Sequence, residues 1–359
     1  MDTRLLSVLL GTRASRATAS SIGLVCACLR SEWFVLALIL VVMAASVLPC
    51  YGVSAEILSR LAVLTISSLF FLQGARLSRD AVFGGMIHWR LHLAIMSTTF
   101  VLFPVLGLGV VSLFESALSE PLRIGVLFVC ALPSTVQSSI ALTSIARGNI
   151  PGAICAAATS NLIGILLTPL LLTALVHVHG GSFDFAGLWK IVLQLLVPFT
   201  AGHLLRSRIG DWVDRNRAVL AITDRGSILL VVYVAFSGAV THGIWQQLPP
   251  ATLALLVLID GMLLIAVLVL MTVGSRALAA SRVDEVAVVF CGSQKSLVTG
   301  VPMANVLFAG SAVGVILLPI MLYHMLQLLV CAWLARRYAR PPAATRHRMG
   351  CTPALGRKR

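Results

Sequence analysis

Long apolar runs, each about the length of a bilayer-spanning helix, alternate along this chain with short charged or Gly/Pro-rich breaks. They lie roughly at residues 33–50, 57–75, 91–114, 122–146, 151–177, 186–205, 226–245, 251–274, 284–308 and 311–335. Hydrocarbon gives the backbone no hydrogen-bond partner, so runs of this length must satisfy themselves as helices, and the short alternating strands of a membrane barrel are absent. The expected fold class is therefore an all-α polytopic membrane protein of about ten transmembrane helices.

Two runs carry polar interruptions near their midpoints. The fourth reads VLFVCALPSTVQSSIALTSIARGN, with Pro133 followed by Ser134, Thr135, Gln137, Ser138 and Ser139. The ninth reads VAVVFCGSQKSLVTGVP, with Gly292, Ser293, Gln294, Lys295 and Ser296 similarly deep. Proline removes a backbone donor and glycine weakens a helix, so the chain is expected to unwind at both places. A kink with the Ser hydroxyls bonded back to the preceding turn is the plainer alternative. Divided into two halves of five, the ten runs place these two as the fourth of each half, crossing the membrane in opposite directions. Both carry Gln-x-Ser, at residues 137–139 and 294–296. Paired broken helices in inverted repeats put a polar site at the bilayer midplane in many secondary transporters.

Composition agrees: with 58% of residues hydrophobic and 11% charged, the chain has too few charges to cover a soluble surface. Its net charge of +14 comes from residues scattered through connections and a tail, which points to membrane orientation and not to nucleic acid. Of the 27 Lys and Arg residues, 23 fall in the N-terminal arm, in the connections after runs 2, 4, 6 and 8, and in the tail. Both termini are thus expected in the cytosol, in a plasma (inner) membrane or, alternatively, an organellar one. The organisation expected is a cytosolic arm (1–32), a membrane domain (33–335, repeats about 33–178 and 186–335) and a basic tail (336–359). The first thirty residues also resemble a transit peptide, with Arg4, Arg13, Arg16 and Arg30 against a lone Asp2. The positive-inside reading is preferred because no small-residue cleavage site follows an apolar core. Cys26, Cys28, Cys130, Cys155, Cys291 and Cys331 read as small apolar residues, with no metal site and no cofactor.

Asp260 in the eighth run and Lys295 in the ninth lie far from any expected helix end. A charge at the bilayer centre costs roughly 2.5–3.5 kcal/mol on insertion scales, so such residues sit near partners or in wet cavities. Either the two form a structural ion pair, or Lys295 titrates, binds an anion or stands in for a coupling cation. Further candidates for the cavity are Thr159, Asn161, His324 and Gln327, with Gln73 and His203 closer to helix ends.

The segments FFLQGARLS (70–78), ALPSTVQSSIALTSIARGN (131–149), SNLIGILLTPLLL (160–172), FCGSQKSLVTGVPM (290–303) and LPIMLYH (318–324) resemble the bile acid:sodium symporter superfamily. The resemblance is to its SBF-like branch, which includes vertebrate member-7 transporter-like proteins and related bacterial proteins. It implies a 5+5 inverted repeat, in which a core domain with crossing broken helices 4 and 9 moves against a panel domain. Sodium-coupled members hold their ions with Ser-Asn at the first break and Glu-x-x-x-Gln-Asn at the second. Here Gln294 matches, but Phe290 stands at the glutamate position, Lys295 at the asparagine position, and Ser138 and Ser139 form the first pair. An ammonium repels sodium where a carboxylate would attract it, which argues against sodium sites of that kind.

The expected function is secondary transport of a small solute, an organic anion by its chemistry, at a site built from Ser134, Thr135, Gln137, Ser138, Ser139, Ser293, Gln294, Lys295 and Ser296. The partners expected are that small-molecule or ion substrate and the lipid bilayer. The resemblance also implies an alternative, a membrane regulator of cellular calcium homeostasis, since member-7 relatives are linked to calcium entry. No GxSxG, HExxH or pair of intramembrane aspartates suggests an enzyme.

Overall fold

A computed structural model of the chain describes residues 33–76, 89–178, 185–241, 243, 248–308 and 313–339. The arm at 1–32, with Cys26 and Cys28, and the tail from 340 onward lie outside the described residues, so the readings made on them stand as expectations. What is described is helical almost throughout and contains no strand. In order the helices are α1 (Trp33–Val47), α2 (Gly52–Arg76), α3 (Trp89–Ser97), a π-helical turn (Thr98–Leu102), α4 (Phe103–Leu113), α5 (Glu120–Ala131) and α6 (Gln137–Ile145). Then follow α7 (Ile150–Val178), α8 (Phe185–Arg215), α9 (Arg217–Thr241), α10 (Pro250–Ala277), α11 (Arg282–Ser293), α12 (Leu297–Leu307) and α13 (Val313–Ala339). Among the described residues, seven stretches are long and apolar enough to cross a bilayer: α2, α3 through α4, α7, α9, α10, α11 through α12, and α13. The protein is an all-α polytopic membrane protein.

Local chemistry sets several helix starts. Pro121 at the start of α5 and Pro250 at the start of α10 occupy positions whose N–H has no intrahelical partner. α11 begins with the Ser281 hydroxyl accepting from the Asp284 N–H, and Asp284 and Glu285 sit at its positive end. At this same end Glu285 is held by Arg276 Nε at 3.0 Å and by the Tyr338 hydroxyl at 2.8 Å, tying α10, α11 and α13 together.

The helices pack in two groups: α1, α2, α8 and α9 form one, and α3 to α7 with α10 to α13 form the other, the groups touching through α7, α12 and α13. In the first group α2 and α8 approach until side chains no longer fit between them. A Cβ on Gly74 would lie 1.9 Å from the Phe199 carbonyl oxygen, and one on Gly202 would lie 1.9 Å from the Phe71 carbonyl oxygen. The contact is reciprocal, each helix placing Phe-x-x-Gly against the other. Small residues at such crossings let backbones meet where lipid supplies no hydrophobic drive.

Two expectations on boundaries change. α8 continues past residue 205 to Arg215, and α9 starts at Arg217, so the basic connection expected between them is helical. The cause is tertiary: Ala75, Val213 and Leu220 share a small buried cluster with Leu72 and Ile209. Arg206 donates to the Ala75 carbonyl at 2.7 Å, and Arg76 pairs with Asp224. The other change is the π-helical turn, which the apolar pattern does not signal.

Candidate functional site

The chain unwinds at both interrupted runs. α5 stops at Ala131 and α6 begins at Gln137, while α11 stops at Ser293 and α12 begins at Leu297. Pro133 lacks an N–H to continue α5. The second break contains no proline, and its residues are held by partners on other helices.

The two breaks meet. Ser296 N–H donates to the Pro133 carbonyl at 2.9 Å, and the Ser134 hydroxyl donates to the Cys291 carbonyl at 2.6 Å. The Gln294 side-chain oxygen accepts from Thr135 at 3.0 Å and from Ser138 at 2.6 Å, and Thr135 lies 3.0 Å from the Ser139 hydroxyl. A buried backbone group without a partner is costly, and the carbonyls of the first break can be accounted for one by one. Cys130 and Leu132 accept from Lys295, Ala131 from Thr168, Pro133 from Ser296 and Ser134 from Asn161. Asn161 of α7 also accepts from the Thr299 hydroxyl at 2.9 Å, so a single amide bridges both broken spans. Gln327 of α13 pairs with the Lys295 backbone in both directions, accepting from its N–H at 2.7 Å and donating to its carbonyl at 2.9 Å. The Tyr323 hydroxyl takes the Ser293 carbonyl at 2.7 Å.

Lys295 is fully buried, and its ammonium donates to the carbonyls of Thr99 at 3.0 Å, Cys130 at 2.9 Å and Leu132 at 2.7 Å. It lies 4.0 Å from the centre of the Phe103 ring, a cation–π position. Three protons thus meet three carbonyls. The Thr99 carbonyl is free for a local reason. Phe103 N–H donates five residues back, to Thr98, and the residue that would serve Thr99 in the same register is Pro104, which has no N–H. Cys130 and Leu132 lie at the negative end of α5, where a cation is favoured.

The structure corrects one reading and locates the other candidates. Asp260 and Lys295 do not form an ion pair: neither Asp260 oxygen has a hydrogen-bond partner, while the ammonium is taken by carbonyls. Gln137 stays outside the buried network and is exposed as the first residue of α6. The two Gln-x-Ser matches are not equivalent, since Gln137 opens a helix whereas Gln294 sits inside the break, three residues before α12. Ser293 is buried beside Cys331, 3.9 Å from its sulfur. Ser296 caps α12 by accepting from the Thr299 N–H at 3.2 Å. Asn161, Gln327 and His324 join the network, His324 Nδ1 lying 2.9 Å from Gln327 Nε2. Gln73 and His203 lie on α2 and α8, and Thr159 is half-buried on α7. Phe290 packs its ring edge-on to Tyr338, 6.1 Å between centroids, so no carboxylate stands at that position. Thr99, whose contribution is a backbone carbonyl, was beyond the reach of sequence reasoning; Pro104 was the one available signal.

A family model described as the SBF-like CPA transporter family matches residues 32–340. The chain belongs to that family. This SBF-like protein is 53% identical over 310 residues to an uncharacterized protein of Pseudomonas aeruginosa, covering 86% of this chain and 92% of the relative. It is 48% identical over 307 residues to the putative symporter YfeH of Escherichia coli, with coverage of 86% and 92%. It is 30% identical over 312 residues to sodium/bile acid cotransporter 7-A of Xenopus laevis, with coverage of 84% and 90%. The SBF-like chain is thus an integral membrane transporter of the bile acid:sodium symporter superfamily, and both broken spans fall inside the matched region.

Proposed function

We propose that this protein is a secondary active transporter of an organic anion, working by alternating access and without sodium coupling. In this reading the spans form a 5+5 inverted repeat, the α3–α7 and α10–α13 group is the moving core, and α1, α2, α8 and α9 are the panel. Both termini face the cytosol.

The observation that carries the reading is the meeting of two helix breaks around a fixed ammonium. Lys295, with three carbonyls and an aromatic face around it, occupies the kind of oxygen cage a monovalent cation would take, which supports its role as a built-in substitute for a coupling ion. Its donors are saturated, so a substrate anion would meet its field and not its protons. Direct donors are available nearby. The N-terminus of α6 has no side-chain cap, and Gln294 Nε2 is buried without a hydrogen-bond partner. Uncapped helix N-termini attract anions. Relatives named sodium/bile acid cotransporter make a bile acid the first probe.

The test is uptake of a radiolabelled bile acid and a panel of smaller organic anions into proteoliposomes, with sodium or with choline replacing it at fixed pH. Equal protein-dependent uptake in both buffers is the expected result. Strict dependence on sodium would overturn the coupling assignment, and no uptake of any anion, with no ligand-induced thermal stabilisation, would overturn the substrate class.

A further inference from the structure

α10 presents a buried face of Leu256, Ile259, Leu263, Leu264 and Val267, and in the middle of that face stands Asp260, fully buried. Neither of its oxygens has a hydrogen-bond partner. An ionised carboxylate in such a place has lost its water and gained nothing in return, whereas a neutral acid loses far less. α10 packs against α4, the π-helical turn, α11 and α13. α4 and the π-helical turn contribute no titratable side chain. α11 contributes Cys291 and, in its first turn, Arg282, Asp284 and Glu285, the last already bonded to Arg276 and Tyr338. α13 contributes Tyr323, His324 and Cys331 and, in its last turn, Arg336, Arg337 and Tyr338. The Tyr323 phenol has its proton committed to the Ser293 carbonyl.

Lys295, the ammonium at the second break, holds a buried carbonyl with each of its three protons. Losing one would strand an acceptor. Proton exchange at Lys295 is therefore opposed by its surroundings, and at Asp260 nothing holds the proton except the absence of water.

We propose that Asp260 is the proton-binding site of the transport cycle, carrying a proton in this conformation and releasing it to water when α10 becomes hydrated in another. This deepens the transport reading above and rests on it: the mobile charge is the Asp260 proton and Lys295 is the fixed one. With Asp260 protonated the pair contributes one positive charge to the core, and with Asp260 ionised it contributes none. Binding and release of the proton thus change the core's affinity for an anion between the two states.

The test uses the full chain in lipid nanodiscs and reads the carboxyl without any substrate. Dicyclohexylcarbodiimide reacts with protonated carboxyls in apolar surroundings, and the adduct on the peptide containing Asp260 is quantified by mass spectrometry across a pH series. The expected result is an adduct at Asp260 that falls about tenfold per pH unit once the acid ionises. In Asp260→Asn the same peptide should carry none, and the wild-type series stands alone should that variant not fold. An adduct that does not vary with pH marks an acid sealed from water, and absence of the adduct at every pH marks a carboxyl that is never protonated. Either outcome overturns the proposal. Because no substrate is involved, failure here leaves the uptake results untouched, and failure of uptake leaves the titration of Asp260 readable.

Discussion

Asp260 and Lys295, both without solvent exposure, share no hydrogen bond. The ammonium is instead neutralised by backbone dipoles from three carbonyls, two of them at the end of α5. A buried charge needs partners, and peptide carbonyls serve where no carboxylate is in reach.

Lys295→Met should lower stability markedly, because three buried carbonyls lose their donor at about 1–3 kcal/mol each, offset in part by the charge no longer being buried. Asp260→Asn should leave that deficit in place. The expected coupling in a double-mutant cycle is below about 0.5 kcal/mol, as for residues that share no partner. Unfolding of the four proteins in detergent measures it, and full rescue of Lys295→Met by Asp260→Asn would restore the ion-pair reading.

Gly74→Ala or Gly202→Ala should force α2 and α8 apart, since each new Cβ would sit 1.9 Å from a backbone oxygen that no rotamer change can move. A loss of roughly 1–3 kcal/mol is expected for either, as for overpacked cores. Gly226→Ala, where no atom lies within 4 Å of the new Cβ, is the matched control and should be neutral or slightly stabilising. Thermal unfolding of the three variants tests the ordering.

Gln327→Met keeps the length of the side chain but strands the Lys295 N–H and carbonyl in the core. About 2–4 kcal/mol of stability should be lost, and uptake should fall further because the second break loses the amide that fixes its backbone. Gln327→Glu, neutral in the core, keeps an acceptor and one hydroxyl donor and should rank between wild type and Gln327→Met. Wild-type behaviour of Gln327→Met would show that the break is held by other contacts.

A cysteine at Ser207, exposed on α8 among the arginines, should react with a membrane-impermeant maleimide only from the cytosolic side. Labelling only from outside would reverse the orientation proposed here.

Much of this was legible along the chain because the bilayer imposes a simple rule: a run of some 20 apolar residues has no alternative to a helix. Pro133 and the polar residues around it announced the first break for the same local reason, the loss of a backbone donor at a site rich in hydroxyls. At the second break the glycine and polar cluster announced the place, and the sequence by itself also determined that a lysine would be buried there. It did not determine what the lysine touches. That depends on a carbonyl of Thr99 freed by the π register before Pro104, on two more at the end of α5, and on Gln327 arriving from α13. Backbone carbonyls are present at every residue, so no side-chain pattern distinguishes the three that matter. The pairing of Asp260 with Lys295 was one of the two readings that opposite charge allowed, but charge fixes no distance. Only the packing of α10 against α11 and α13 decided that the carboxyl would stand alone.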